Sequence, residues 1–185
     1  MPTNLHPQLQ AIADEFNFAT ARLHALVRAV SDDRWSVRRD PARWSVAECV
    51  AHLNLTGRAY GDILHAAITT APRPLLSGPW PGRYRRDLWG WLLWKSMPPP
   101  VRFRVKTVAG FVPGAVAPAS AQVAEFEQWQ KVQMDLLIAA DGLPLNSIRV
   151  TSPFNVKVTY NLYSCFSILP AHQHRHLWQA ERVWI

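Results

Sequence analysis

Cysteine is nearly absent from this chain: Cys49 and Cys165 are the only two. Two thiols make no disulfide framework, so a small stapled scaffold is excluded. At 185 residues the chain is long enough to bury a full core without staples, and a single domain over 1–185 is expected. Long apolar runs are missing as well. The longest, Leu88 to Trp94, is too short to span a bilayer. The opening Met-Pro-Thr-Asn-Leu-His-Pro-Gln has no basic stretch followed by an apolar one, which predicts no secretory signal and a cytoplasmic location. Hydrophobic content of 49% with 18% charged residues is that of a soluble globular protein.

Acidic residues are few, 13 against 20 Lys and Arg, and the deficit is local. Between Pro72 and Pro118 stand Arg73, Arg83, Arg85, Arg86, Lys95, Arg102, Arg104 and Lys106 against Asp87 alone. That segment carries the whole net charge of +7, because the bases and acids elsewhere cancel. It also holds Trp80, Trp89, Trp91 and Trp94 and the run Pro98-Pro99-Pro100. Basic residues interleaved with tryptophan over 80–106 suit a nucleic-acid backbone or an anionic membrane surface. A Trp-rich link packing on its own core, with solvated arginines, is the expectation here. Nucleic-acid and membrane contact are the alternatives that a non-catalytic binding protein would use.

What is present is histidine at a chemically meaningful spacing. In Leu169-Pro-Ala-His-Gln-His-Arg-His-Leu177, His172 and His176 are four residues apart and fall on one face of a helix, with Cβ atoms roughly 5–6 Å apart. Leu169, Ala180 and Val183 lie on the same stripe, so the pair points inward. Two inward imidazoles need polar partners. They are either ligands of one metal ion, at about 2.0–2.1 Å each, or core histidines bonded to carbonyls. A zincin-type protease is excluded, because Gln173 stands where its general-base Glu is required.

A third imidazole is available upstream. Ser45 and Glu48 form a capping box and predict a helix start at Ser45. His52 sits two turns in, sharing a face with Cys49, Leu55, Ala59 and Ile63, beside a second apolar face of Val46, Val50, Leu53, Tyr60 and Leu64. Three histidines with an open fourth position suit a catalytic rather than a closed structural site. Cys49, one turn before His52, is read as a buried apolar thiol, with a sulfur ligand or a reactive thiol as the alternative.

Trp44-Ser45-Val46-Ala47-Glu48, then Ala51-His52-Leu53, Ser152-Pro153-Phe154 and His172-x-x-Arg175-His176-Leu177-x-Gln179 together resemble the DinB superfamily over about residues 5–184. The resemblance implies an all-α four-helix bundle holding one divalent ion, often nickel or zinc, on His52, His172 and His176. Some relatives are transferases or isomerases that use low-molecular-weight thiols, and relatives often dimerise. A metal-dependent transferase or hydrolase acting on a small molecule is therefore the enzymatic reading. The alternative is a metal-binding bundle without catalysis. An ion on three neutral ligands keeps its full charge and acidifies a bound water, to a pKa of about 7, or a bound thiol. Glu48 and Gln179 are candidates to fix imidazole tautomers and Thr56 to bond a bound water. Arg58 and Arg175 are candidates to hold a substrate carboxylate at the mouth. No residue is assigned a catalytic role.

The periodicity predicts helices over about 6–30, 45–70, 119–141 and 158–184. Inward positions are Leu9, Ile12, Phe16, Leu23, Leu26 and Val30 in the first, and Val123, Phe126, Met134, Leu137 and Ile138 in the third. Gly142 is placed to cap the third. Pro170 should kink the fourth. Val150 to Phe154 reads as an extended loop, and 72–118 as a long crossover between the second and third helices. Within it, 87–97 reads as a short helix with Trp91 and Trp94, or Trp89 and Leu93, facing the bundle. His6, His24, His65 and His174 are read as solvated or locally bonded, His174 as exposed.

Overall fold

The capping box forms as the sequence demands. In the computed structural model, which describes residues 5–72, 82–100 and 106–184, Ser45 Oγ accepts from Glu48 N–H and Glu48 Oε2 accepts from Ser45 N–H at 2.8 Å. Together they satisfy two of the donors a helix start leaves orphaned. The helix that follows, α3 (Val46–Thr69), is one of four long helices, with α1 (Pro7–Ala29), α5 (Ala119–Ala139) and α6 (Leu162–Trp184). Two short ones, α2 (Asp32–Trp35) and α4 (Leu88–Ser96), complete the α-helices of the described residues, and a 3-10 turn spans Ala109–Phe111. α1 and α3 each pack against both α5 and α6. Their shared interior divides into two apolar clusters. One is built on Leu9, Phe16, Leu64, Tyr160, Phe166 and Leu169. The other is built on Leu23, Leu26, Trp35, Val50, Phe126 and Leu177.

The chain is not purely helical. Arg149–Ser152 (β1) and Asn155–Asn161 (β2) form an antiparallel hairpin, with Val150 opposite Tyr160 and an irregular register after Thr151. Val150 to Phe154 is thus extended, as expected, but paired. The expected helix over 158–184 loses its first turn to β2. Asn161 sets that boundary: its Oδ1 accepts Ser164 N–H at 2.8 Å, an N-cap bond, while Leu162 N–H is drawn to Ile148 O. α6 then runs through Pro170 as one element, although the proline removes a backbone donor.

All six inward positions expected of α1 are buried. In α5, Phe126 and Leu137 are buried and Val123 and Met134 partly so, but Ile138 faces out. Glutamines take the remaining inward places. Gln122 accepts from Trp35 Nε1 at 2.9 Å and donates to Ala47 O, and Gln130 donates to Phe16 O at 3.0 Å and exchanges bonds with Gln173. Gly142 lies beyond the end of α5 in the left-handed region, φ 82°, where glycine carries no steric penalty. Within the segment 72–118, α4 forms where expected, with Leu93 and Trp94 on the core; Trp89 and Trp91 face away from it. Arg73, Trp80, Arg102 and Arg104 lie outside the described residues. No helix among the described residues is long and apolar enough to cross a membrane.

Candidate metal centre

α3 and α6 deliver the three histidines to one point. The His52 and His176 ring centroids are 4.3 Å apart, those of His172 and His176 4.5 Å, and those of His52 and His172 5.2 Å. All three side chains are buried, and one nitrogen from each lies within 4.8 Å of the others. Among the described residues this is the group of His, Cys, Asp or Glu side chains able to hold an ion.

The tautomer of His52 follows from its partner. Nδ1 lies 2.8 Å from the carbonyl oxygen of Phe111, in a 3-10 turn at Ala109–Phe111. A carbonyl only accepts, so Nδ1 carries the proton and Nε2 keeps its lone pair. Nε2 faces His172 Nε2 at 3.3 Å. Two nitrogens at that distance need a shared proton or a cation between them. A tetrahedral ion with bonds of about 2.0–2.1 Å sets its ligand nitrogens about 3.3–3.4 Å apart, so this edge already has metal-site dimensions.

An ion on this edge would use His172 Nε2 and leave Nδ1 of that ring as it is. His172 Nδ1 and His176 Nδ1 are buried and have no hydrogen-bond partner, a costly state that buried polar groups seldom occupy. Burial holds all three rings below the ordinary imidazole range. For His52 the bond to Phe111 opposes that lowering. For His172 the neighbouring His52 and Arg175 charges add to it, and for His176 those of His172, His52 and Arg175 do. Neutral imidazole is the form that binds metal.

Aromatic rings from three connections wall the site. Trp44, just before α3, lies 5.1 Å from His52 and 6.1 Å from His176. Phe154, in the hairpin turn, lies 5.9 Å from His172 and 6.4 Å from His52, and it packs on Phe111 at 4.2 Å. The hairpin therefore positions part of the wall. Neither the Phe111 carbonyl nor this shell was anticipated; Trp44 and Phe154 stand in the recognised motifs, whereas a backbone acceptor leaves no mark in a sequence.

Of the five supporting candidates, two approach the histidines. Arg175 donates to Ser96 O at 3.0 Å, at the end of α4, and its charge acts on His172 and His176. Gln179 lies beside His176 and weakly opposes the lowering of its pKa, yet His176 Nδ1 remains unpartnered. Three do not serve the site. Glu48 is held by the capping box and by Arg38 Nε at 2.7 Å, so it fixes no imidazole. Thr56 Oγ1 donates to its own helix, to His52 O at 2.8 Å. Arg58 pairs with Glu125 at 3.0 Å on the exposed surface. Cys49 packs in the apolar core with its thiol pushed up to about 12 by burial, as an inert residue would. His174 is not exposed: it is half-buried and pairs with Glu15 at 3.0 Å.

No curated protein and no solved structure matches the chain. The family model of the DinB superfamily matches residues 15–180, a span that takes in all three histidines and nearly every described element. With that match over most of its length, this chain belongs to the DinB superfamily.

Proposed function

We propose that this protein is a metal-dependent enzyme, a single-domain four-helix bundle of α1, α3, α5 and α6 that holds one nickel or zinc ion on His52, His172 and His176. On this reading it carries out transfer or hydrolysis on a small molecule. The observation that carries the reading is the meeting of three buried imidazoles, held toward the neutral form, with His52 Nε2 and His172 Nε2 3.3 Å apart. When bound, the ion supplies positive charge that lowers the pKa of water or a thiol reaching its open position. The chain's own residues prepare that position. Phe111 C=O fixes the His52 tautomer, Trp44, Phe111 and Phe154 limit water around the imidazoles, and Arg175 offers positive charge for an anionic substituent.

A thiol, where one takes part, comes from outside the protein. Cys49 and Cys165 are both buried with thiols raised far from neutrality, so neither is a nucleophile. A low-molecular-weight thiol is accordingly the proposed co-substrate for transfer. Protein made without a histidine tag and reconstituted with nickel or zinc is expected to retain one ion per chain, and His172→Ala none. Failure of the wild type to retain any ion would overturn the reading. A conjugation screen with bacillithiol, mycothiol and glutathione, run beside a hydrolysis screen, separates transfer from hydrolysis.

A further inference from the structure

The first seven residues of α4, Leu-Trp-Gly-Trp-Leu-Leu-Trp, are apolar all round before Lys95 and Ser96 end it, a pattern that ordinarily marks a buried helix. Only about a third of it is covered. Gly90, Leu93 and Trp94 lie on one arc and pack against the protein, Gly90 so tightly that a Cβ there would meet Ser164 Oγ at 2.0 Å. The opposite arc is open: Leu88 is 69% exposed, Trp89 54%, Leu92 43% and Trp91 41%. Four large apolar side chains on one short helix make a patch that needs a partner.

Beside it lies a cavity of about 300 Å³ lined by Gln8, Arg83, Tyr84, Arg85, Arg86, Trp91 and Tyr163. Trp91 belongs to both the cavity wall and the open arc. No carboxylate among the described residues pairs with Arg83, Arg85 or Arg86, and Arg86 Nε is buried without a hydrogen-bond partner while its guanidinium stacks on Trp94 at 3.9 Å. Asp87, the one acid of the segment, is already taken by Arg149 and by Asn161 N–H. The backbone that presents these arginines is clamped. Gln8 bonds both Tyr84 N–H and C=O, Asn146 bonds Arg85 N–H and Arg83 C=O, and Asn161 donates to Arg85 C=O at 2.8 Å. Three unpaired cations on a fixed frame are a prepared site for phosphate.

We infer that this face docks on an anionic phospholipid surface, with a headgroup phosphate in the arginine cavity and Leu88, Trp89, Trp91 and Leu92 in the interface. Apolar burial and basic charge are the two signals that together hold a peripheral protein on a membrane. A two-fold pairing of the same face in a second copy would set Arg83, Arg85 and Lys95 against their own counterparts, whereas anionic lipid neutralises them. The cavity is set back from the histidines, Tyr163 and His172 being nine residues or roughly 13 Å apart along α6, and Arg175 links the end of α4 to them through Ser96 O.

The test is flotation of the intact protein with vesicles of phosphatidylcholine alone and of phosphatidylcholine with phosphatidylglycerol, with tryptophan fluorescence read in parallel. Binding to the anionic vesicles, with a blue shift and loss at high salt, is expected, and none to the neutral ones. Each arginine near the surface is worth about 1 kcal/mol, or about five-fold, so R83Q with R85Q should weaken binding about 25-fold. L88S with W89S, both on the solvent side and checked by circular dichroism, should abolish it. Absence of binding to anionic vesicles overturns the inference. So does binding that inorganic phosphate displaces and L88S with W89S leaves intact, which would mean a free-anion site. Equal retention on duplex DNA would also overturn it, in favour of a general polyanion surface.

Discussion

Replacing His176 with leucine should change the sign of its effect on stability with metal. Without metal, the wild type buries His172 Nδ1 and His176 Nδ1 with no partner, at about 1–3 kcal/mol each. His176→Leu removes one of these atoms while keeping an apolar side chain against Trp44 and His52. Some ring contact is lost, so the variant in chelator should match the wild type or exceed it by up to about 2 kcal/mol. With zinc at about a thousand times its dissociation constant, the wild type gains about 4 kcal/mol by linkage. The variant keeps two ligands and gains little. In a chain of this size 1 kcal/mol moves the midpoint by about 2–4 °C, so zinc should raise the wild-type Tm by about 8–16 °C and the variant's by a few degrees at most. Thermal unfolding followed by circular dichroism, with chelator and with zinc, reads both orders. A variant clearly less stable than the wild type in chelator, combined with an equal zinc response in both, would refute the reasoning.

Further outcomes follow from the same contacts. In chelator, stability should fall as pH drops below about 6.5. The unfolded rings take up protons there while the buried His52, His172 and His176 hold out, so the unfolded state binds more protons and acid favours it. The loss is at most about 1.4 kcal/mol per pH unit for each ring that stays neutral, read from urea midpoints, and a flat profile would contradict it. Ser45→Ala should cost about 1 kcal/mol, or about 2–4 °C, through loss of the cap on α3, with metal content unchanged. A change in metal content would return Glu48 to the site. Gly90→Ala, driven into Ser164, should destabilise by about 1–3 kcal/mol and expose Trp94 to quenchers, whereas an unchanged Tm would show that α4 is loosely held.

The sequence announced what is local and periodic. Ser45 and Glu48 marked the start of α3 to the residue, and the i, i+4 pair with His52 named the three imidazoles that converge. The hairpin was harder to see. The exposed half of β2 shows no inward–outward alternation, because Val156 faces solvent and burial begins only toward Tyr160. Asn161 was an available cap signal, and Val156-Lys157-Val158-Thr159 an available β-branched one. The inward glutamines of α5 interrupt its apolar stripe, so apolar spacing puts Ile138 inside where the helix turns it to solvent. Around the histidines, the side chains expected to help found nearer partners, Glu48 in the Ser45 cap and Arg38 and Thr56 in its own helix, and the bond that orients His52 comes from a backbone carbonyl 59 residues away. Local competition of this kind is decided by backbone geometry, which a residue pattern does not specify.

X-ray absorption at the zinc edge, on reconstituted tag-free protein, looks at the ion itself. Three imidazole nitrogens at about 2.0–2.1 Å, with water oxygen or an added thiol completing the shell, is the expected spectrum. His52→Ala should lose one imidazole from it. Fewer than three imidazoles in the wild type, or an imidazole count unchanged by that substitution, would mean that His52, His172 and His176 do not share an ion.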